Sequence, residues 1–475
     1  MKTICLYFEI HQPVRLKRYR FFDIGTDHYY YDDYENERAI AETAEKSYIP
    51  TLTALLEMAR EHGQFFKVAF SLSGVAMELL ETYAPEVIDL LQQLNDTGCV
   101  EFLAEPYSHG LSSLANEEVF IEETKRQAAK IKQVFGKAPK VLRNSSLIYN
   151  DDIGALAGRM GFKGMIAEGA KHILGWKSPH FVYSCPLDPS VKLLLRDYVL
   201  SDDISLRFND SSWNEYPLFA DRYIGKIASL PDDQQIVNIF MELCAIGIFQ
   251  PLSSNILDFL KALPAQAKAQ NVVFATPSEI ISKTKSVGPM EIVHPVSWND
   301  EERDTSCWLG NGMQREAFGK LYNEWLAGRI LACQDRRLKQ DWDRIQASNN
   351  FRFMTTKPAS VAMFRSFYES PYDAFTNYMN ILGDFIKRVQ NLFPIEVEND
   401  ELNALYTTIQ NQGVELNVKD NEISRLKARL EKYEPTVTEQ TKEEQKPAPK
   451  AKAAPKKATK AAPKKAAKTT TKKKQ

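Results

Sequence analysis

The sequence lacks the short motifs by which most nucleotide, metal and serine-hydrolase chemistry is recognised. It contains neither Gly-x-x-x-x-Gly-Lys nor Gly-x-Gly-x-x-Gly, so no glycine loop of the phosphate-cradling kind is offered to a nucleotide. Without a Gly-x-Ser-x-Gly, a serine nucleophile has no support. Glu105 and His109 stand four apart but lack the second histidine of a metalloprotease helix. The 6 cysteines lie far apart with no Cys-x-x-Cys pair, which reads as buried, reduced side chains rather than a disulfide framework or a zinc site. No run reaches the roughly eighteen apolar residues of a membrane helix. The apolar stretch at the N-terminus is cut by Glu9 and His11 before it attains signal-peptide length. The expectation is a cytoplasmic protein with no cofactor, no metal and no membrane partner.

What is present is ordinary for a folded chain of 475 residues, with 44% hydrophobic and 26% charged side chains, enough for two or three domains. The formal charge of −2 conceals an asymmetry, because residues 446–475 hold twelve lysines and no acid. An acidic body therefore carries a basic tail.

Through the first 280 residues short apolar runs alternate with longer amphipathic ones. The runs at 4–10, 65–72, 100–104, 164–167, 192–196, 236–241 and 272–275 read as strands, and 48–61, 77–95 and 117–135 as helices. Such alternation implies an α/β fold with parallel strands and functional loops at their C-terminal ends. Seven strands suit a closed or nearly closed β/α barrel, and a doubly wound open sheet fits the periodicity almost as well. Beyond about residue 290 the pattern becomes helical, at 303–335, 337–348, 361–369 and 372–392. The predicted organisation is a barrel at 1–290, a helical domain at 291–395, a coiled-coil-like helix at 396–433 and a disordered tail at 434–475. Within 399–433, Leu402, Leu405, Ile409, Leu416, Ile423, Leu426 and Leu430 fall on a or d heptad positions. That stripe suits either a helix lying on its own protein or a self-associating coiled coil, hence a homo-oligomer. The Lys/Ala/Pro-rich end has no large apolar residue to offset its ordering entropy.

Polar residues cluster where strands should end, the position at which a β/α enzyme keeps its site. His11-Gln12-Pro13 follows the first strand, Glu105 to Gly110 the third, Glu168-Gly169 the fourth, and Ser201-Asp202-Asp203 lies shortly after the fifth. Two carboxylates are the minimum equipment for cleaving a glycosidic bond, one as nucleophile or base and one as proton donor. Each residue also has a plainer use. His11 could be a core histidine, Glu168 a strand end, and Asp202-Asp203 a helix cap. Trp176, Trp213, Trp298 and Trp308 could stack on sugar rings or fill the core.

At these residues the chain resembles glycoside hydrolase family 57, in its α-amylase-like branch, from residue 3 to about 390. The stretches are His11-Gln12-Pro13; Gly98 through Leu111; Arg143-Asn144-Ser145-Ser146-Leu147 through Glu168-Gly169 and Trp176; and Leu200-Ser201-Asp202-Asp203 through Phe208. The helical region adds Trp308-Leu309-Gly310-Asn311-Gly312 and Ser370-Pro371-Tyr372-Asp373. The resemblance implies an incomplete (β/α)7 barrel followed by a helical domain, acting on α-1,4-glucans as a retaining hydrolase or a transglycosylase. It implies Glu168 as nucleophile and Asp202 as general acid/base. His11, Glu105, His109, Trp176, Asp203 and Trp308 are implied in sugar binding. Retention requires the two carboxyl groups to lie roughly 5–5.5 Å apart.

Three departures remove polar groups. Asn144-Ser145-Ser146-Leu147 stands where the branch usually reads Asn-Thr-Glu-Leu, and Ser348-Asn349-Asn350-Phe351 where Ser-Asp-His-Phe is common. Met241-Glu242-Leu243-Cys244-Ala245-Ile246-Gly247-Ile248-Phe249 replaces Met-Asp-Tyr-Glu-Thr-Phe-Gly-Glu-His. These losses favour an alternative, a glucan-binding or scaffold protein with little catalysis. The tail resembles those of linker histones, which suits sequence-independent binding of DNA, RNA or another polyanion. A merely solvated tail is the competing reading. For the polyanion reading, deleting residues 446–475 should lower affinity for random duplex DNA and flatten its salt dependence; equal affinity before and after deletion would rule it out.

Overall fold

In the computed structural model, residues 1–357 and 366–393 are described, together with scattered helical positions between 408 and 427. The described residues form nine strands: β1 (Lys2–Ile10), β2 (Val68–Leu72), β3 (Val100–Leu103), β4 (Val141–Arg143), β5 (Gly164–Glu168), β6 (Val182–Ser184), β7 (Lys192–Arg196), β8 (Ile236–Glu242) and β9 (Val272–Phe274), seven of them at the apolar runs and two, β4 and β6, outside them. Seven of them run in the order β3-β2-β1-β8-β7-β5-β4. The ends of that row meet across one bridge, where the Ala104 N–H donates to the Val141 carbonyl at 3.0 Å and the Arg143 N–H to the Ala104 carbonyl at 2.8 Å. The result is a nearly closed parallel barrel of seven strands with helices around it.

The expected strand number holds, but the membership differs. The segment at 272–275 pairs only with the start of β1, at Lys2–Ile4, below the stretch that binds β2. Its place in the ring is taken by β4, too short to show as an apolar run. β6 pairs antiparallel with β7 and lies off the ring.

Helices form where amphipathic periodicity and capping agree. Glu117–Phe135 starts at Asn116, whose side chain accepts from the Val119 N–H, and stops at Gly136 in the left-handed region, φ 82°. The stretch at 77–95 is two helices, Gly74–Tyr83 and Pro85–Asp96, because proline cannot continue the first. The stretch at 303–335 is likewise split, into Ser306–Leu309, Gly312–Leu321 and Glu324–Ala332. Asn311 and Asn323 each cap a fresh start there. Arg336–Ile345 and Pro371–Leu392 lie close to expectation. Residues 361–365 of the predicted helix at 361–369 fall outside the described residues.

Met1–Glu398 forms one compact unit and Asn399–Gln475 a second. In the second, Ile409, Leu416 and Ile423 are helical and exposed, consistent with an apolar stripe. The tail at 434–475 is outside the described residues. The cysteines are all free, and all but Cys244 are buried. No helix among the described residues is long and apolar enough to cross a membrane.

β5 and β7 approach closely at their C-terminal ends. A Cβ built on Gly169 would lie 2.3 Å from the Arg196 carbonyl oxygen, a backbone atom that cannot step aside. Gly169→Ala should therefore destabilise the fold by about 1–3 kcal/mol in urea denaturation; an unchanged midpoint would show that the strands can part there.

Candidate functional site

Because the seven strands are parallel, their last residues gather at one end of the barrel. β1 brings Glu9, β4 Arg143, β5 Glu168, β7 Arg196 and β8 Glu242, while Glu105 lies just beyond β3. Two arginines organise this end. Arg143, fully buried, donates through Nη1 to Glu105 at 2.9 Å and through Nη2 to Glu9. Arg196, equally buried, donates through Nη2 to Asp202 Oδ1 at 2.5 Å and through Nη1 to Glu168 Oε2 at 3.3 Å. The Phe240 ring lies near both guanidiniums, 5.1 Å from Arg143 and 5.8 Å from Arg196.

Glu168 and Asp202 thus meet, as the sequence led us to expect, but on a shared guanidinium. Asp202 is held again on its other oxygen by Arg303 at 3.1 Å. Burial pushes the Glu168 carboxyl up, against the pull of Arg196 and Arg303. The helix Tyr198–Ser205 that carries Asp202 is capped by Asp197, which accepts from the Leu200 N–H. Asp202 and Asp203 therefore lie inside the helix and do not cap it.

A cavity of about 170 Å³ opens at the barrel mouth. His11, His109 and Trp308 line it, with Glu9, Ser146 and Glu242. The imidazoles of His11 and His109 stack at 4.1 Å and 17°. Asn349 Oδ1 accepts from His11 Nε2 at 3.0 Å, so the Ser73 hydroxyl donates to Nδ1 at 2.8 Å. Burial lowers both rings, His109 to about 4, and keeps them neutral at pH 7.

Trp298 links the cavity wall to the second arginine. It lines the cavity, and its ring centroid lies 5.7 Å from the Arg196 guanidinium. Its carbonyl accepts from Arg303, and its N–H donates to the Ser146 carbonyl at 3.1 Å. Glu168 and Asp202 are not among the cavity's lining residues. The Trp298 indole N–H and the Asn299 side-chain oxygen are buried in the cavity wall without a protein partner.

The remaining sequence candidates go elsewhere. Glu105 sits behind His109 on Arg143. Asp203 pairs with Arg207 at 2.6 Å and Lys226 at 3.1 Å, away from the cavity. Trp176 is 92% exposed and touches none of these groups' cavity, so the structure does not bring it to the others. Among the described residues no cluster of three His, Cys, Asp or Glu could hold a metal ion.

The model for glycosyl hydrolase family 57 matches residues 5–293. The chain belongs to that family. A protein of Methanocaldococcus jannaschii named "Putative alpha-amylase" is 36% identical over 411 residues, spanning 82% of this chain and 85% of the relative. The solved branching enzyme of this family from Pyrococcus horikoshii aligns with a TM-score of 0.59 at 14% identity, covering 86% of this chain and 94% of the other. The 4-alpha-glucanotransferase of Thermococcus litoralis aligns at 0.57 and 13% identity, covering 81% and 59%. At such identities the two structures support the barrel fold alone. The family and these relatives are of the glycosidase type.

Sequence reasoning missed Glu9, Arg143, Arg196 and Asn299. A signal existed for the arginines, since Val141-Leu142-Arg143 and Leu193-Leu194-Leu195-Arg196 each end an apolar run on a charge that must be paired once buried.

Glu105 generates a pH effect. Burial raises its carboxyl from 4.5 to about 7 despite Arg143, so the folded state holds this proton more tightly than the unfolded chain. Its contribution to stability is complete below about pH 4.5 and is lost as pH rises through about 7. Glu105→Gln removes that loss, so its stability relative to wild type should improve from pH 4.5 to pH 7 in urea melts; a constant difference would mean that the fold holds this proton no more tightly than the unfolded chain does.

Proposed function

We propose that this family 57 chain binds the end of an α-glucan at its barrel mouth and does not cleave it. The cavity wall supplies what a neutral sugar requires. Trp298 and Trp308 offer aromatic surface, His11 and His109 stay uncharged, and an indole donor and an amide acceptor await partners. That the partner is an α-glucan follows from the relatives, whose names describe an amylase, a branching enzyme and a 4-alpha-glucanotransferase.

One observation carries the second half of the proposal, the Arg196 guanidinium that holds Glu168 and Asp202 together. A nucleophile must come within about 3–3.5 Å of the anomeric carbon. Glu168 is 1% exposed, bonded to Arg196, and absent from the lining of the cavity. At the cavity itself, Ser146 occupies the position where the α-amylase-like branch usually has a glutamate. Glu9 is committed to Arg143 and His109, and Glu242 accepts from the Cys244 thiol at 3.4 Å, so the cavity holds no pair of unengaged carboxylates for either glycosidase mechanism.

The other reading is a retaining hydrolase or transglycosylase with Glu168 as nucleophile and Asp202 as general acid/base. It draws support from the convergence of those carboxylates on one guanidinium, and it requires Arg196 to release them. Incubation with maltoheptaose separates the two. Calorimetric binding with no new reducing ends and no redistributed chain lengths is expected. Product formation that Glu168→Gln abolishes would establish the hydrolase or transferase and overturn the proposal.

A further inference from the structure

A second and larger hollow, about 610 Å³, lies beside the cavity, and Arg15 and Phe367 line both. One wall is the segment after β1, the other the start of the helix Pro371–Leu392. The walls are tied to each other. The Tyr19 N–H donates to Asn377 Oδ1 at 2.7 Å, and the Asn380 amide donates to the Tyr19 carbonyl at 3.1 Å. The groove is thus a fixed part of the fold.

Its chemistry selects a type of ligand. Arg15, Arg18 and Arg20 are offset by Asp32, Glu35, Glu369 and Asp373, so the lining carries no strong excess of either sign and does not favour a polyanion. Aromatic rings lead from the cavity into it. Phe353, a cavity residue, packs on Phe367 at 4.3 Å between centroids, and Arg15 lies 5.0 Å over the Phe367 ring. At the far side Phe21 lines the groove while 70% exposed. A large apolar ring left in water on the rim of a polar groove suits stacking on the apolar face of a sugar.

We propose that this groove carries the body of the glucan chain whose terminal unit enters the cavity, with the chain turning past Arg15 and Phe367 and stacking on Phe21. The inference rests on glucan binding at the cavity and adds that recognition is extended. A small closed cavity alone would bind short and long oligosaccharides equally. A cavity continued by a groove favours long ones.

The test compares dissociation constants of maltotriose and maltoheptaose for the wild-type chain and for Phe21→Ala, an exposed position whose loss leaves the core intact. Wild type should bind maltoheptaose the more tightly. Phe21→Ala should weaken maltoheptaose by about tenfold, a typical loss for one aromatic contact, and leave maltotriose unchanged. Equal wild-type affinities, or a Phe21→Ala variant that binds maltoheptaose normally, would overturn the groove while leaving the cavity reading intact. Failure of wild type to bind either sugar would overturn both.

Discussion

Charge burial at the mouth of the barrel governs this structure. Two arginines at strand ends, Arg143 and Arg196, lie in the interior, and each gathers two carboxylates from neighbouring elements. Each such trio takes a guanidinium and two carboxyls out of water, at a desolvation cost that pairing offsets only in part, so that burial raises Glu9, Glu105 and Glu168. Three of the four contacts are tight, Glu168 sits farther off at 3.3 Å, and the Phe240 ring lies near both guanidiniums. Removing one member would strand the rest as unpaired buried charge, typically at a cost of about 3–5 kcal/mol. A carboxylate under that constraint is a structural group first. Attacking a sugar would require it to leave its arginine, and Glu168 and Asp202 would have to do so together.

How much of this was legible beforehand follows from the size of each signal. Long apolar runs gave their strands nearly to the residue, as with 192–196, because parallel barrel strands are buried on both faces and need uninterrupted hydrophobic sequence. β4 offered only Val141-Leu142-Arg143, too little for a pattern, although it closes the ring. Val272–Phe274 has the stronger pattern and pairs only at the foot of β1. Strength of local pattern reports burial, and burial does not tell which neighbour a strand chooses. The broken helices show a related effect, since Pro85, Asn311 and Asn323 restart the chain inside stretches whose apolar spacing continues unbroken.

The site was legible as a neighbourhood and less so as a mechanism. Strand-end reasoning found His11, His109 and Glu168, because parallel strands must deliver their ends together. It could not assign partners. Whether Glu168 faces a groove or an arginine depends on Arg196, whose side chain comes from the adjacent strand and whose identity looked unremarkable in a run of leucines. Asp202 and Asp203, side by side in sequence, point to different partners because successive helical residues lie about 100° apart, which sends one to Arg196 and the other to Arg207 and Lys226. Trp176 stands apart from the others because it is on the surface and does not line the cavity.

The backbone at the cavity argues that its shape still matters. His109, Ser146 and Leu147 all have positive φ, 55°, 50° and 57°, where side chains other than glycine are costly. Residues so placed cost of order 1–3 kcal/mol each and persist only where the surroundings over-determine them. Here they do. The Ser146 carbonyl is held by the Trp298 N–H, and the His109 carbonyl by the Ser348 N–H at 3.1 Å, so the loops after β3 and β4 are pinned to segments from the helical part of the chain. A loop that merely closed the barrel would have no need of such a turn. Two consecutive left-handed residues instead turn position 146 to the cavity, where the α-amylase-like branch presents a carboxylate and this chain presents a hydroxyl. The turn that aims position 146 is kept with a hydroxyl on it, and the polar wall around it remains. That combination fits the recognition role proposed for the barrel mouth.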